Sequence, residues 1–264
     1  MNNEKPQNID EYKNWLKEEH KSEISDRTKI YYESVTSKIK QAFEGSEFWI
    51  KLIGNLRDYD DEYLMRNGYN LLMEGFKPEL NIKPFDTFLL KTFRKNVLKN
   101  KHWPDPPETE WILPKNWFSK INDIIRTLFV VKYLDGVEFI VDKIKSSCKQ
   151  YCMESEIYFE AREEGYYAAH LYTKQEFEIP KVNWDTENIN VEIEIQITTQ
   201  LQEVIRRLLH KYYEDRREKM RKEDVKWQWN YKGNEFIANY LGHILHYVEG
   251  MIMEIREKQK EKIS

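Results

Sequence analysis

The sequence is poor in glycine, proline and cysteine and has no long apolar run, and each shortage excludes a class of protein. Nine glycines and eight prolines among 264 residues exclude collagen-like and low-complexity chains. Because no run of about 18 apolar residues occurs, we expect no transmembrane helix and no membrane partner. Residues 1–21 also lack the apolar stretch of a signal peptide.

Only two cysteines are present, and they do not suggest a disulfide framework. Cys148 and Cys152 lie one helical turn apart without a nearby histidine, so two ligands are too few for a zinc site. We expect both to be structural residues of a cytoplasmic protein.

Several common catalytic signatures are missing as well. There is no Walker-type Gly-x-x-x-x-Gly-Lys, no Gly-x-Ser-x-Gly and no His-Glu-x-x-His. His243 and His246 lie in an apolar segment, and we interpret them as core histidines rather than ligands. Any catalytic site must therefore use a different set of residues.

The chain is, in contrast, rich in aromatic residues and in locally concentrated basic charge. Aromatic residues make up 14% of the sequence, far more than a disordered polymer carries. The net charge is -4, yet Lys77–Lys101 holds seven basic residues against two acidic ones, and Arg206–Lys222 holds eight against three. Such clusters indicate that anions bind at particular places, although each segment is also compatible with one solvated helix face.

The hydrophobic pattern predicts helices, then an α/β centre, then helices again. Helical spacing recurs over residues 9–73, with Ser46 as an N-cap. The elements predicted after it are a strand over 79–83, a helix over 86–99, a proline-rich loop over 103–114, strands over 127–133, 157–161, 167–173 and 190–197, and helices over 137–152, 200–221 and 234–258.

Acidic residues beside two of these strands are candidates for chemistry. Glu192 and Glu194 share one face of a strand whose isoleucines point to the other face, so they line either a cleft or an exposed surface. Asp123 precedes a buried strand, where a carboxylate is a natural ligand of Mg²⁺, and it is equally suited to a turn.

Basic and aromatic residues supply two further candidates. Lys91 and Lys95 lie one turn apart on the helix predicted over 86–99, with Arg94 beside them and Lys83 before the helix. This arrangement suits a triphosphate, because lysine acts as a point charge and arginine binds phosphate in a bidentate manner. The aromatic cluster over 227–231 either stacks on bases or packs a helix pair.

Five elements between residues 80 and 215 resemble, in the same order, the motifs of the RelA/SpoT alarmone synthetases. They are Lys83-x-x-x-Thr87-x-x-x-Lys91, Asp123-Ile124 with Lys132-Tyr133-Leu134-Asp135-Gly136, Gly165-Tyr166-Tyr167-Ala168-Ala169-His170, Glu194-Ile195-Gln196-Ile197-Thr198-Thr199, and His210 with Tyr213. Five elements in order are far more specific than any one of them. The flanks over 1–75 and 220–264 carry none.

The resemblance implies a fold and a reaction. The fold is α+β, with a mixed, nucleotidyltransferase-like sheet in a core over 76–222, a helical flank over 1–75 and a helical extension over 223–264 packed on the core. The reaction is transfer of the β,γ-diphosphate of ATP to the 3′-hydroxyl of GDP or GTP, which gives (p)ppGpp-type alarmones and AMP. Since the hydrolase motif of the long family members is not visible, a short, synthesis-only member is expected.

The same resemblance implies roles for ten residues in or beside the matched elements. Asp123 and Glu194 are expected to be catalytic and to hold Mg²⁺, with Glu194 orienting or deprotonating the attacking hydroxyl. The residues expected to bind the ATP phosphates are Lys83, Thr87, Lys91 and Arg94. Those expected to bind the acceptor nucleotide are Tyr166, His170, Gln196 and His210.

Several arginines of the family pattern are replaced, which leaves the acceptor open. Asn81, Tyr167-Ala168 and Thr198 stand where the pattern has Arg, Arg-Ser and Arg, and the glycine that should follow Asp123-Ile124 is missing. These departures resemble a branch of toxic small synthetases, some of which place pyrophosphate on the 3′-terminal adenosine of tRNA, while others make adenosine alarmones. A toxin requires an antitoxin protein as partner. A catalytically inactive nucleotide-binding module is the third alternative.

Overall fold

The computed structural model describes residues 4–180, 185–208 and 226–261. Five strands form one mixed sheet, in the order β1-β2-β5-β4-β3. The strands are β1 (Leu80–Ile82), β2 (Ile125–Val131), β3 (Glu154–Ala161), β4 (Tyr167–Pro180) and β5 (Thr186–Thr199). The predicted α+β class is confirmed. β4 runs past the predicted end at residue 173, because Phe177 and Ile179 continue the alternation and are buried.

Helices precede, separate and follow these strands along the chain. They are α1 (Ile9–His20), α2 (Asp26–Glu44), α3 (Glu47–Gly54), α4 (Leu56–Asn67), α5 (Phe85–Phe93), α6 (Trp117–Lys120), α7 (Leu134–Gln150), α8 (residues 200–208 of the described chain) and α9 (Asn234–Glu261). Ser46 is the N-cap of α3, as predicted, and its hydroxyl accepts the amide of Trp49 at 3.2 Å. No helix within the described ranges is long and apolar enough to span a bilayer.

The segment after α5 differs from its prediction. A single α-helix over 86–99 was expected, but Arg94–Leu98 forms a π-helical turn. Within that turn the buried Asn96 donates to the hydroxyl of Tyr12 and to the carbonyl of Ile112, each at 2.8 Å, and accepts the amide of Ile112. These three hydrogen bonds satisfy a buried amide that a regular amphipathic pattern does not anticipate, so periodicity alone gave the wrong helix type.

The chain divides into two compact units, and the first consists of Met1–Trp49, Leu80–Arg126 and Tyr172–Glu194. Within it, α2 contacts β1 and α5, and α1 also contacts α5. The core of this unit is aromatic, since Tyr32, Phe88 and Trp117 are almost fully buried and their rings pack against one another or against Phe85. This aromatic packing fixes the position of the N-terminal end of α5 and of Pro84, the residue before it.

The second unit consists of Ile50–Glu79, Thr127–Leu171 and Ile195–Ser264. Within it, α7 contacts α4, β3 and α9. The division predicted from the resemblance, over 1–75, 76–222 and 223–264, stays a prediction. Both cysteines are free, Cys148 being buried on α7 and Cys152 exposed.

One buried arginine anchors α9 in the second unit. The side chain of Arg256 is 5% exposed, and its guanidinium lies against the rings of both Tyr69 and Tyr133, 4.5 and 4.3 Å from their centroids. Its Nη1 is 3.1 Å from Oδ1 of Asp135, which also accepts the hydroxyl of Tyr63 at 2.6 Å. The acidic residue of a matched sequence element therefore serves here as the partner of a buried cation.

We expect Asp135→Asn to lower the free energy of unfolding by about 2 kcal/mol, because it leaves the buried Arg256 without its counter-charge. Glu62→Gln is the matched control. It breaks the pair that Glu62 makes with Lys143, whose side chains are 28% and 25% exposed, and we expect less than about 1 kcal/mol. Urea unfolding of both variants measures the difference, and equal losses would contradict the anchoring role of Asp135.

Candidate active site

Asp123 lies between two lysines in the first unit, just before β2. Its Oδ2 is 2.9 Å from Nζ of Lys83 and its Oδ1 is 2.8 Å from Nζ of Lys91. The backbone of Lys83 is fixed on both sides, since its amide donates to the carbonyl of Ile124 and its carbonyl accepts the hydroxyl of Tyr32, each at 2.8 Å. The fold thus brings together three residues that the sequence motifs separate by up to 40 positions.

The electrostatics of this cluster favour a bound anion. Burial alone would raise the pKa of Asp123, but the charges of Lys91 and Lys83 outweigh it and lower that pKa to about 2. Burial is the largest cause that lowers the pKa of Lys83, and together with the repulsion by Lys91 and Arg126 it outweighs the attraction of Asp123. Desolvation and the charge of Lys91 also lower the pKa of Lys95. Two ammonium groups, those of Lys83 and Lys91, face the one carboxylate of Asp123, so a phosphate entering here would relieve the mutual repulsion of the lysines.

Glu194 is buried on β5 in the same unit. The residue is 4% exposed, and Oε1 of its carboxylate accepts a hydrogen bond from the hydroxyl of Tyr172 at 3.1 Å. The alternative of an exposed strand face is therefore wrong at this position. Two residues earlier, on the same face, Glu192 interacts electrostatically with Lys95. The face of β5 that carries Glu192 and Glu194 is therefore the face that interacts with Lys95.

The other two residues expected at the ATP phosphates lie along the same helical segment. Thr87 is exposed on α5, one turn before Lys91. Arg94 is half-buried and begins the π-helical turn, so the register beyond it differs from that of the predicted cationic stripe. π-turns inside helices are frequent at functional sites, which agrees with a role for this segment.

The donor set is compatible with Mg²⁺ bound together with a nucleotide. Among the described residues, no three or more histidine, cysteine, aspartate and glutamate side chains come together as a self-sufficient metal site. Mg²⁺, however, commonly uses one or two carboxylates and completes its shell with water and substrate phosphates. Asp123 and Glu194 are carboxylates of this kind, shielded from bulk water at 14% and 4% exposure.

The second unit carries the residues expected to bind the acceptor. Tyr166 follows Gly165 in the turn between β3 and β4, and its hydroxyl lies 2.9 Å from Nε2 of the buried His170. The guanidinium of Arg162 lies 5.2 Å from the centre of the Tyr166 ring. Gln196 is half-buried on β5. The structure therefore brings Tyr166 and His170 together, while His210 lies outside the described residues.

One departure from the family motif has a structural explanation. Thr198 stands where the motif has arginine, and it is 4% exposed. Its hydroxyl donates to the carbonyl of Tyr167 at 3.1 Å. A buried threonine bound to the neighbouring strand has replaced a cation at this position, so the replacement changes the charge of the site without leaving a polar group unsatisfied.

The second basic segment and the aromatic cluster are described only in part. Of the basic residues over 206–222, Arg206 and Arg207 are described, and both bind the carboxylate of Glu203 at 2.6 Å. In the aromatic cluster, Trp227 packs edge-on against Tyr240 of α9, with ring centres 5.3 Å apart, whereas Trp229 is 81% exposed. Trp227 therefore packs against a helix, whereas stacking on bases stays a prediction for the exposed Trp229.

Sequence-based reasoning missed two residues of these clusters. Tyr172 holds Glu194, and Arg162 covers the ring of Tyr166. Tyr172 gave no signal, because its partner is defined only once β4 and β5 pair. Arg162 lies near the Gly165-Tyr166 element, and proximity to that element was the one available indication.

Comparison with known proteins identifies the fold. No protein-family model matches the chain, and no curated protein does. Among solved structures, a GTP pyrophosphokinase family protein from Streptococcus pneumoniae superposes with a TM-score of 0.53 at 17% identity, covering 90% of this chain and 95% of that one. The small alarmone synthetase 1 from Bacillus subtilis gives 0.51 at 16% identity, covering 89% and 97%. The chain has the fold of the short RelA/SpoT-type synthetases, as the sequence resemblance implied.

Proposed function

We propose that this protein is a short, synthesis-only pyrophosphokinase of the RelA/SpoT type, which transfers the β,γ-diphosphate of ATP to the 3′-hydroxyl of GDP or GTP. The observation that carries this proposal is the ion-pair cluster of Lys83 and Lys91 around the partly buried Asp123, with the buried carboxylate of Glu194 in the same unit. The fold adds support, since a Bacillus subtilis protein with this fold has been solved with pppGpp as its product.

The chemistry assigned to the site needs a base and a set of cations. The bond that forms joins the 3′-oxygen of the acceptor to the β-phosphorus of ATP, and the bond that breaks joins that phosphorus to the oxygen it shares with the α-phosphorus. AMP leaves with the electron pair, and the hydroxyl proton goes to the carboxylate of Glu194. Lys83 and Lys91, with Thr87 and Arg94 on the same segment, compensate the charge of the phosphates.

Asp123 has a double part in this proposal. It keeps the ammonium groups of Lys83 and Lys91 in place before ATP binds, because both lie within 3 Å of its carboxylate. With Glu194 it would also hold Mg²⁺, which neutralises phosphate charge when bound. In the second unit, the ring of Tyr166 would stack on the acceptor base, with His170 and Gln196 beside it, and the acceptor role of His210 stays a prediction.

A labelled-phosphate assay tests the proposed function. ATP carrying ³²P at its γ-position is incubated with the full chain, Mg²⁺ and one of four acceptors: GDP, GTP, ATP or deacylated tRNA. We expect label on GDP and GTP with equimolar release of AMP. Nucleotide binding without AMP release from any mixture would contradict the proposal and favour the non-catalytic module.

The tRNA-modifying toxin remains the second candidate function, and the exposed Trp229 together with the neighbouring Tyr231, 68% exposed, favours it. Exposed aromatic rings stack on unpaired bases, and they could equally contact an antitoxin protein. Label transferred to the tRNA 3′ end, with an affinity that falls steeply with salt, would establish this activity, because binding to a nucleic-acid backbone releases counterions and binding of free GDP does so far less.

A further inference from the structure

Helix α9 touches the turn that carries Tyr166 at a point where two glycines meet. A Cβ atom at Gly242 of α9 would lie 2.3 Å from the carbonyl oxygen of Gly165, and a Cβ atom at Gly165 would lie 2.4 Å from the carbonyl oxygen of Asn239. Gly165 also has a φ of +75°, which strains any other residue. The helix backbone and the turn backbone are therefore in direct contact, and neither position has room for a side chain.

A histidine next to this contact holds both sides of the same turn. Nε2 of His243 is 2.8 Å from the carbonyl of Glu163, and its Nδ1 is 2.8 Å from the hydroxyl of Tyr167. A carbonyl only accepts, so Nε2 carries the hydrogen and, in the neutral ring, Nδ1 accepts the tyrosine hydroxyl. Glu163 and Tyr167 flank Tyr166 on either side, so one imidazole ring connects the two ends of the turn.

Two further contacts keep α9 in register with the strand that follows the turn. The ring of His246 stacks on the ring of Tyr167, with centroids 3.7 Å apart and planes 8° from parallel. One turn further along α9, the buried Glu249 accepts the hydroxyl of Thr199 at the end of β5. The helix is therefore held along its length, so the contact at Gly242 has a fixed position relative to the turn.

We propose that Gly242 and His243 are positioning residues, which set the place of the Tyr166 ring and thereby the binding of the acceptor nucleotide. This inference rests on the proposed function, in which Tyr166 stacks on the acceptor base. The physical argument concerns the conformational entropy that the turn loses when a ligand binds. A surface turn held only by its own hydrogen bonds, from the amide of Gly165 to the carbonyl of Arg162 and from the amide of Arg162 to the carbonyl of Tyr166, loses conformational entropy when a ligand binds, whereas a turn fixed in advance does not.

Gly242→Ala tests the proposal in the full chain, because the added methyl group must displace the Gly165 carbonyl. We expect the KM for the acceptor to rise at least tenfold while the KM for ATP changes less than twofold, since the lysine cluster lies in the other unit. Gly250→Ala is the matched control. It lies on the same helix, and nothing lies within 4 Å of the added Cβ, so we expect wild-type constants.

His243 gives a second test that does not depend on the tolerance of the glycine. We expect His243→Ala to raise the acceptor KM and to speed hydrogen exchange of the Gly165 amide, and His243→Gln to restore part of both, because glutamine can still donate to the carbonyl of Glu163. Equal rises in both KM values, or an unchanged acceptor KM in either variant, would overturn the positioning role. The wild-type assay separates the two failures: without AMP release the proposed function falls, whereas wild-type turnover with unaffected variants removes only the role of α9.

Discussion

Asp123→Asn lowers the turnover number for pyrophosphate transfer by about 10²–10³-fold, the expected cost of removing one preorganised charge from a phosphoryl-transfer site. The carboxylate touches Nζ of both Lys83 and Lys91, and its pKa is about 2, so it is fully ionised at neutral pH. Asparagine has nearly the same shape but no charge, so the two ammonium groups lose the anion that separates them and the proposed Mg²⁺ loses a ligand.

The measurement is AMP release at saturating ATP and acceptor, with a check that the variant is folded. That check matters because Lys83 is 7% exposed at its side chain and becomes a buried cation without a partner. Asp86→Asn is the matched control, since Asp86 is exposed on the nearby helix α5 and we expect wild-type turnover. A folded Asp123→Asn variant with a turnover within threefold of wild type would refute the assignment.

Glu194→Gln is expected to lower turnover by about 10²–10⁴-fold, the range that positioned general bases contribute. Glutamine keeps the volume of the side chain and can still accept the hydroxyl of Tyr172, so the buried position stays filled. It cannot take up a proton, and it carries no charge for a cation. The loss is therefore expected in kcat with little change in the KM for ATP.

Two neighbouring variants make this prediction specific. Glu192→Gln removes a carboxylate from the same face of β5, and we expect less than a tenfold loss, because Glu192 is only half-buried and acts through Lys95. Tyr172→Phe leaves Glu194 charged but removes its hydrogen bond, and we expect up to a tenfold loss. If Glu192→Gln and Glu194→Gln reduced turnover equally, the base would not be Glu194 alone.

The matched sequence elements predicted which residues belong to the site better than they predicted the contacts between those residues. Lys83, Lys91 and Asp123 were expected at one site, and the fold brings the ammonium group of each lysine within 3 Å of the Asp123 carboxylate. The roles given to them, like those of Thr87, Arg94, Gln196 and His210, stay predictions that the experiments above address. Asp135 shows the limit of such matching, because this residue belongs to a matched element that assigned it no role, and in the structure it binds a buried arginine of α9.

Local patterns decided most of the secondary structure, since a strand or a helix is specified mainly by the period of its own apolar residues. The alternation around Glu194 and the cap at Ser46 are examples. The π-helical turn over Arg94–Leu98 was not predictable in this way, because its buried Asn96 is satisfied by Tyr12 and Ile112, which lie 84 and 16 residues away in the sequence.

By itself, the sequence determined the order of the elements and the residue types available for phosphate chemistry, because periodicity and motif spacing are local properties of the chain, and the resemblance of its motifs implied the α+β class. Only the tertiary structure decided which charged side chains lie next to one another. The low pKa of Asp123, the burial of Glu194 beside Tyr172 and the glycine contact between α9 and the Tyr166 turn all arise from chain segments that are distant in sequence. Burial and charge at a point depend on every segment that packs there, and a single stretch of sequence does not contain that information.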